Sequence, residues 1–99
     1  MNPGWLDFAL FCVAYVQGDM TAAAHHASLQ VSDTFPYGMA ARALVAAADG
    51  HRNLAKKTLI RLTALYPGWS DPRKMLARFI RSPEIVDRLS RDLEAIGGE

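Results

Sequence analysis

The sequence lacks the features that mark a membrane protein, a disulfide scaffold or a known catalytic centre. Its longest uninterrupted apolar run, Phe8 to Val16, is nine residues, whereas a membrane-spanning helix needs about 20. The single cysteine, Cys12, excludes an internal disulfide and fits a reducing compartment. The opening MNPGW carries none of the positive charge that begins a secretory signal. The expectation is a soluble, cytoplasmic protein. No HExxH, P-loop, GxSxG or dinucleotide fingerprint is present. Nothing nominates a nucleophile beside a base or a pair of carboxylates in a cleft. The chain is therefore expected not to be an enzyme and to need no cofactor.

Metal chemistry is also poorly supplied. His25 and His26 are adjacent, and neighbours on a helix point about 100° apart, so they do not share one ion. No cysteine or acid stands at ligand spacing from them, and His51 is alone in an expected turn. Surface histidines are the plainer reading. Cys12 lies in an apolar run without a base nearby, which suits a buried, inert thiol.

What is present is helical. Apolar residues make up 51% of 99 positions, enough for one small domain with a real core. Alanine is the commonest residue, which favours helices that pack closely. Asn2-Pro3, Asp71-Pro72 and Ser82-Pro83 each set a capping side chain before a proline, the favoured order at a helix start. Gly18, Gly50 and Gly97 each follow a helical stretch and suit a left-handed C-terminal cap. These signals predict six helices, at about 3–17, 20–31, 36–49, 53–66, 72–81 and 83–96, with Asp19 near the cap of the second. The fourth carries Leu54, Ala55, Leu59, Leu62 and Leu65 as its inward stripe; the fifth turns Met75, Leu76, Phe79 and Ile80 inward; the sixth uses Ile85, Val86, Leu89, Leu93 and Ile96. LFCVAYV, residues 10–16, is apolar and β-branched enough to pass for a buried strand, but its place between a proline and a glycine favours helix.

Two helix pairs overlay. Gly18 is followed five residues later by Ala23, and Gly50 by Ala55; the two glycines are 32 apart. Glycine lets the chain turn quickly, the alanine lets the second helix lie close to the first, and Pro36 or Pro67 marks the next boundary. A helix-turn-helix repeat with a period near 34 resembles the tetratricopeptide family, with YVQGD and TALYPGW as the best local matches. The chain is similar, more narrowly, to the C-terminal repeat region of bacterial class III adenylate/guanylate cyclases and related regulators. Residues 2–19, 48–69 and 82–97 (SPEIVDRLSRDLEAIG) carry that similarity. It departs in the short spacing, in His51-Arg52-Asn53 replacing an acidic turn, and in having no cyclase catalytic domain. The resemblance implies an all-α short right-handed solenoid: repeat one at 1–34, repeat two at 35–68 and two capping helices at 69–99.

It also implies a protein-binding groove lined by the first helix of each pair. That groove would present Trp5, Phe8, Cys12 and Tyr15 from one repeat and Tyr37, Ala40, Leu44 and Ala47 from the next, with aromatics as anchors. Relatives that clamp a carboxylate use Lys, Asn and Arg there; Phe8, Cys12, Ala40 and Leu44 are uncharged, so an apolar partner such as an amphipathic helix is expected. The plainer alternative is that these residues pack against neighbouring helices. The first helix is apolar almost all round, so something further should cover it: an upstream repeat or a second copy.

Charge is unevenly spread. Asp7, Asp19, Asp33 and Asp49 stand against Arg42 in residues 1–49, a balance of −3. Arg52, Lys56, Lys57, Arg61, Arg73, Lys74, Arg78 and Arg81 stand against Asp71 in residues 50–81, a balance of +7. This basic block is either a solvated face pairing with the acidic last helix or a surface for nucleic acid or an acidic partner. The leading expectation is a non-catalytic adaptor or the scaffold end of a signalling protein. Self-association through helix one and electrostatic binding are the alternatives.

Overall fold

The computed structural model describes residues 3–29 and 34–98. It is 82% helix, with no strand among the described residues, so the class is all-α. The helices are α1 (Pro3–Gln17), α2 (Met20–Ser28), α3 (Pro36–Ala48), α4 (Arg52–Leu65), α5 (Pro72–Ala77) and α6 (Pro83–Gly97). One 3-10 turn, Pro67–Ser70, joins α4 to α5. Residues 10–16 are helical, as their proline and glycine flanks predict. The cap expected of Asn2 lies outside the described residues. α2 stops at Ser28, short of the predicted end near residue 31, which also lies outside them. α5 is shorter than predicted, so Phe79 and Ile80 reach the core from the turn that follows it.

The two predicted glycine turns have the same backbone geometry. Gly18 has φ +79° and Gly50 φ +83°, a conformation that costs a side chain little only when it is absent. In the first turn the Asp19 N–H donates to Ala14 O at 2.9 Å and the Gly18 N–H to Tyr15 O at 3.2 Å. In the second the His51 N–H donates to Ala46 O at 2.8 Å and the Gly50 N–H to Ala47 O at 3.1 Å. This is the paired closure of a left-handed helix cap, formed twice in the same register. Ala23 and Ala55, five residues beyond each glycine, are fully buried. Gly97 behaves differently: it is the last residue of α6 and has no positive φ. A Cβ placed there would meet Leu59 Cδ2 at 3.4 Å, an ordinary contact, so Gly97 sits where α6 faces α4 and does not form a left-handed cap.

The expected starts hold where they are described. Oδ1 of Asp71 accepts from the Lys74 N–H at 3.4 Å, Oγ of Ser82 from the Ile85 N–H at 3.4 Å, and Oδ1 of Asp19 from the Ala22 N–H at 3.2 Å.

Helix α1 packs chiefly on α2 and α3 chiefly on α4, while α2 and α1 meet α3. The close seams are built from alanine: Ala23 and Ala27 of α2, Ala40, Ala41, Ala43 and Ala46 of α3, and Ala55 of α4 are all buried. Helix α6 packs on α5, α4 and α3 and reaches α1. Its predicted face is correct: Val86, Leu89, Leu93 and Ile96 are buried and Ile85 is half-buried. The extents are 28 × 27 × 26 Å, so the last helices fold back over the hairpins and do not lengthen a stack.

The inward stripe of α4 is narrower than predicted. Ala55 and Leu62 are buried and Leu59 half-buried, but Leu54 and Leu65 are exposed. At 3.6 residues per turn they sit roughly a quarter turn from the Ala55–Leu62 seam, beyond what α3 and α6 cover.

Candidate interaction surfaces

Six of the eight residues expected to line an open groove are interior in this structure. Phe8, Cys12, Tyr15, Tyr37 and Leu44 are all buried, as is Ala40, and Ala47 is half-buried. The expectation that they face a partner is corrected for the buried ones, because segments from the C-terminal third of the chain meet Phe8, Tyr15, Tyr37 and Leu44. The Tyr15 hydroxyl donates to Asp92 Oδ2 of α6 at 2.7 Å. Tyr15 and Leu44 share one small cleft with Asp92, Ala95 and Ile96 of α6. The Tyr37 hydroxyl donates to the Met75 carbonyl of α5 at 2.8 Å. The amphipathic face of α6 thus takes the place of an incoming apolar helix.

The residues do converge, but as an aromatic core. Phe8 lies 5.3 Å from Tyr37 and 5.5 Å from Phe79, ring centre to ring centre. Trp5 meets Phe35 at 4.9 Å, Tyr37 at 5.2 Å and Phe79 at 4.3 Å. Trp5 is the one residue of the expected groove set that is exposed, at 37%. Trp69 is the largest fully buried side chain, 1% exposed, with its ring edge-on to Tyr37 at 5.2 Å. The 3-10 turn carries it inward. The Pro-Gly-Trp junction therefore sets a fully buried tryptophan between α4 and α5.

Burial holds these groups in their neutral forms. Burial pushes the Cys12 thiol up to about 12, so it stays protonated. Burial and the hydrogen bond to Asp92 raise the Tyr15 phenol, and burial raises Tyr37. His26 Nδ1 lies 3.2 Å from Asp7 Oδ1, tying α2 to α1; the sequence pattern did not single out Asp7. Among the described residues no cluster of His, Cys, Asp or Glu could hold a metal ion. No helix is long and apolar enough to cross a membrane, among the residues described.

The basic residues are spread over α4, α5 and the turn beyond. Arg52, Lys57, Arg61, Arg73, Lys74, Arg78 and Arg81 are exposed and Lys56 is half-buried. Arg73 pairs with Asp87 of α6 at 3.0 Å, in line with a basic block that partly pairs with the last helix.

Among the described residues, two apolar features open to solvent stand out. On α1, Leu6 is 58% exposed, Leu10 42% and Val13 47%. Spaced four and three apart, they form one stripe along the helix face that points away from the core. This matches the expectation of a first helix with a second apolar side. The other feature is a groove of about 350 Å³ lined by Leu59, Ile60, Trp69, Pro72, Leu93 and Gly97 together with the polar Thr63, Ser70 and Glu94. Sequence reading missed this groove, since Leu59 and Leu93 both count simply as inward residues. Compared with protein-family models, curated proteins and solved structures, the chain matches none of them.

Proposed function

We propose that this chain is a non-catalytic protein–protein interaction module and that it docks through the outward face of α1. The observation that carries the reading is the exposed stripe Leu6, Leu10 and Val13. Isolated surface leucines are ordinary, but a contiguous apolar row on one helix invites cover. The interior residues give no rival: the one thiol is buried and protonated, and the aromatic residues are packed against each other.

The finer architecture we propose is tetratricopeptide-like, two hairpins with α5 and α6 as a folded-back cap. The support is the twice-formed glycine turn and the buried alanine five residues after each. The resemblance to cyclase C-terminal regions suits a scaffold of this kind in a signalling protein. A lone buried cysteine suits a cytoplasmic setting.

The test is dye binding by the folded chain. A dye that lights up on apolar surface should bind the unmodified protein. Replacing Leu6, Leu10 and Val13 together by Gln should reduce that signal several-fold while helicity by circular dichroism is kept. A folded protein that never binds the dye would sink the reading.

A further inference from the structure

We propose that the groove between α4 and α6 binds a small, uncharged molecule: an apolar body fills the groove, and a carbonyl or hydroxyl oxygen accepts the indole N–H of Trp69. No residue of α1 lines this groove, so the site is separate from the α1 stripe and does not rest on it.

The first support is an unpaired donor. Trp69 lines the groove and is 1% exposed, yet its Nε1 has no hydrogen-bond partner among the described residues. Buried indole N–H groups usually have one, because burial strips the donor of water. The second support is the wall. Leu59, Ile60, Pro72 and Leu93 make it apolar, and its volume of about 350 Å³ suits one small molecule. Its polar members narrow the choice of ligand. Thr63 shares its hydroxyl hydrogen between the Leu59 and Ile60 carbonyls, at 3.2 and 3.0 Å. Glu94 is the one charged residue of the wall. A carboxylate or phosphate entering there would meet like charge, so the oxygen offered to Trp69 is an uncharged one.

Gly97 fits the same reading. It has no positive φ, so its backbone does not call for glycine. A Cβ there would already lie 3.4 Å from Leu59 Cδ2, and a longer side chain would crowd the space that the two residues line. The Trp69 nitrogen is sealed from bulk water, so the ligand's oxygen arrives together with an apolar body that shifts the wall. Ile60, 60% exposed, is the most exposed apolar side chain there.

Proton–nitrogen correlation NMR on the Trp5→Phe variant, in which Trp69 is the sole indole, tests this. Heptanamide and heptanol are the neutral probes, and heptanoate is the charged counterpart of the amide. At least one neutral probe should move the indole N–H signal downfield along a saturable curve. Heptanoate should bind roughly ten-fold more weakly than heptanamide. Glu94→Gln should narrow that gap and leave heptanamide binding unchanged, and Gly97→Leu should abolish saturable binding. Replacing Leu6, Leu10 and Val13 by Gln should change none of this, which separates the outcome from that of the α1 face. If neither neutral probe moves the signal, if the shift grows linearly with concentration, or if Gly97→Leu binds as the parent does, the proposal falls. It falls too if a probe saturates signals of Leu59 and Leu93 while the indole stays in place. Ser90 Oγ is also buried without a partner. An upfield indole shift on Ser90→Ala in the ligand-free protein would mean that this hydroxyl already accepts from Trp69, and would overturn the proposal. Ile60→Asp, at an exposed position, should also prevent binding and replaces Gly97→Leu should that variant lose helicity.

Discussion

The Tyr15 hydroxyl and the Asp92 carboxylate are 2.7 Å apart across 77 positions of sequence, and their hydrogen bond ties α1 to α6. Arg88 completes the arrangement: its Nε donates to the same Asp92 oxygen at 3.1 Å and its guanidinium lies 5.4 Å from the Tyr15 ring centre. A bond to a charged acceptor at a largely buried phenol contributes about 1–2 kcal/mol. Tyr15→Phe should therefore lower Tm by roughly 5–10 °C. Asp92→Asn, which still offers an acceptor, should cost less. Calorimetry on the two variants decides whether this contact clamps the last helix.

The same tyrosine sets a pH dependence. Burial favours the neutral forms of Tyr15, Tyr37 and Cys12, so their folded values lie above the ordinary 10.0 for the phenols and 9.0 for the thiol. A group raised on folding contributes its full stability below the unfolded value and loses it as pH climbs toward the folded one. Unfolding free energy should thus decline once pH passes about 9, first through Cys12 and then through the tyrosines. Urea titrations at rising alkaline pH measure the slope, and Tyr15→Phe should make it shallower. A slope unchanged in that variant would count against the assignment.

Glycine substitutions should separate the two roles seen here. Gly18→Ala and Gly50→Ala force a side chain into positive φ and should each cost about 1–2 kcal/mol. Gly97→Ala places its Cβ at ordinary contact distance and adds helix propensity, so its effect on stability should stay within about 1 kcal/mol, with either sign. Midpoints of chemical unfolding compare the three directly.

The two tryptophans should report different environments. Trp69 is 1% exposed and Trp5 37%. Iodide should quench the fluorescence of Trp69→Phe, which retains Trp5, far more than that of Trp5→Phe. Truncating the buried residue by Trp69→Ala should cost about 3–5 kcal/mol, a large part of what a domain of this size possesses. Circular dichroism melts show whether the fold survives it.

Much of the local structure was legible in the sequence, because its signals act over a few residues. Asp71 and Ser82 announce their helices through bonds to the third residue beyond, and Gly18 and Gly50 announce turns that need positive φ. The buried face of α6 follows from apolar residues three and four apart. The candidate site was legible only in part. Phe8, Tyr15, Tyr37 and Leu44 were recognisable as residues that meet one another, but whether they meet a partner or the chain itself depends on where α6 lies. Only the tertiary structure decided that, along with the burial of Trp69 and the exposure of Leu54 and Leu65. Periodicity says that a helix has an apolar face and not which surface covers it. The covering surface is the one that removes most apolar area from water, and here that was the chain's own C-terminal third, with α6 against Tyr15 and Leu44 and Met75 and Phe79 against Tyr37 and Phe8.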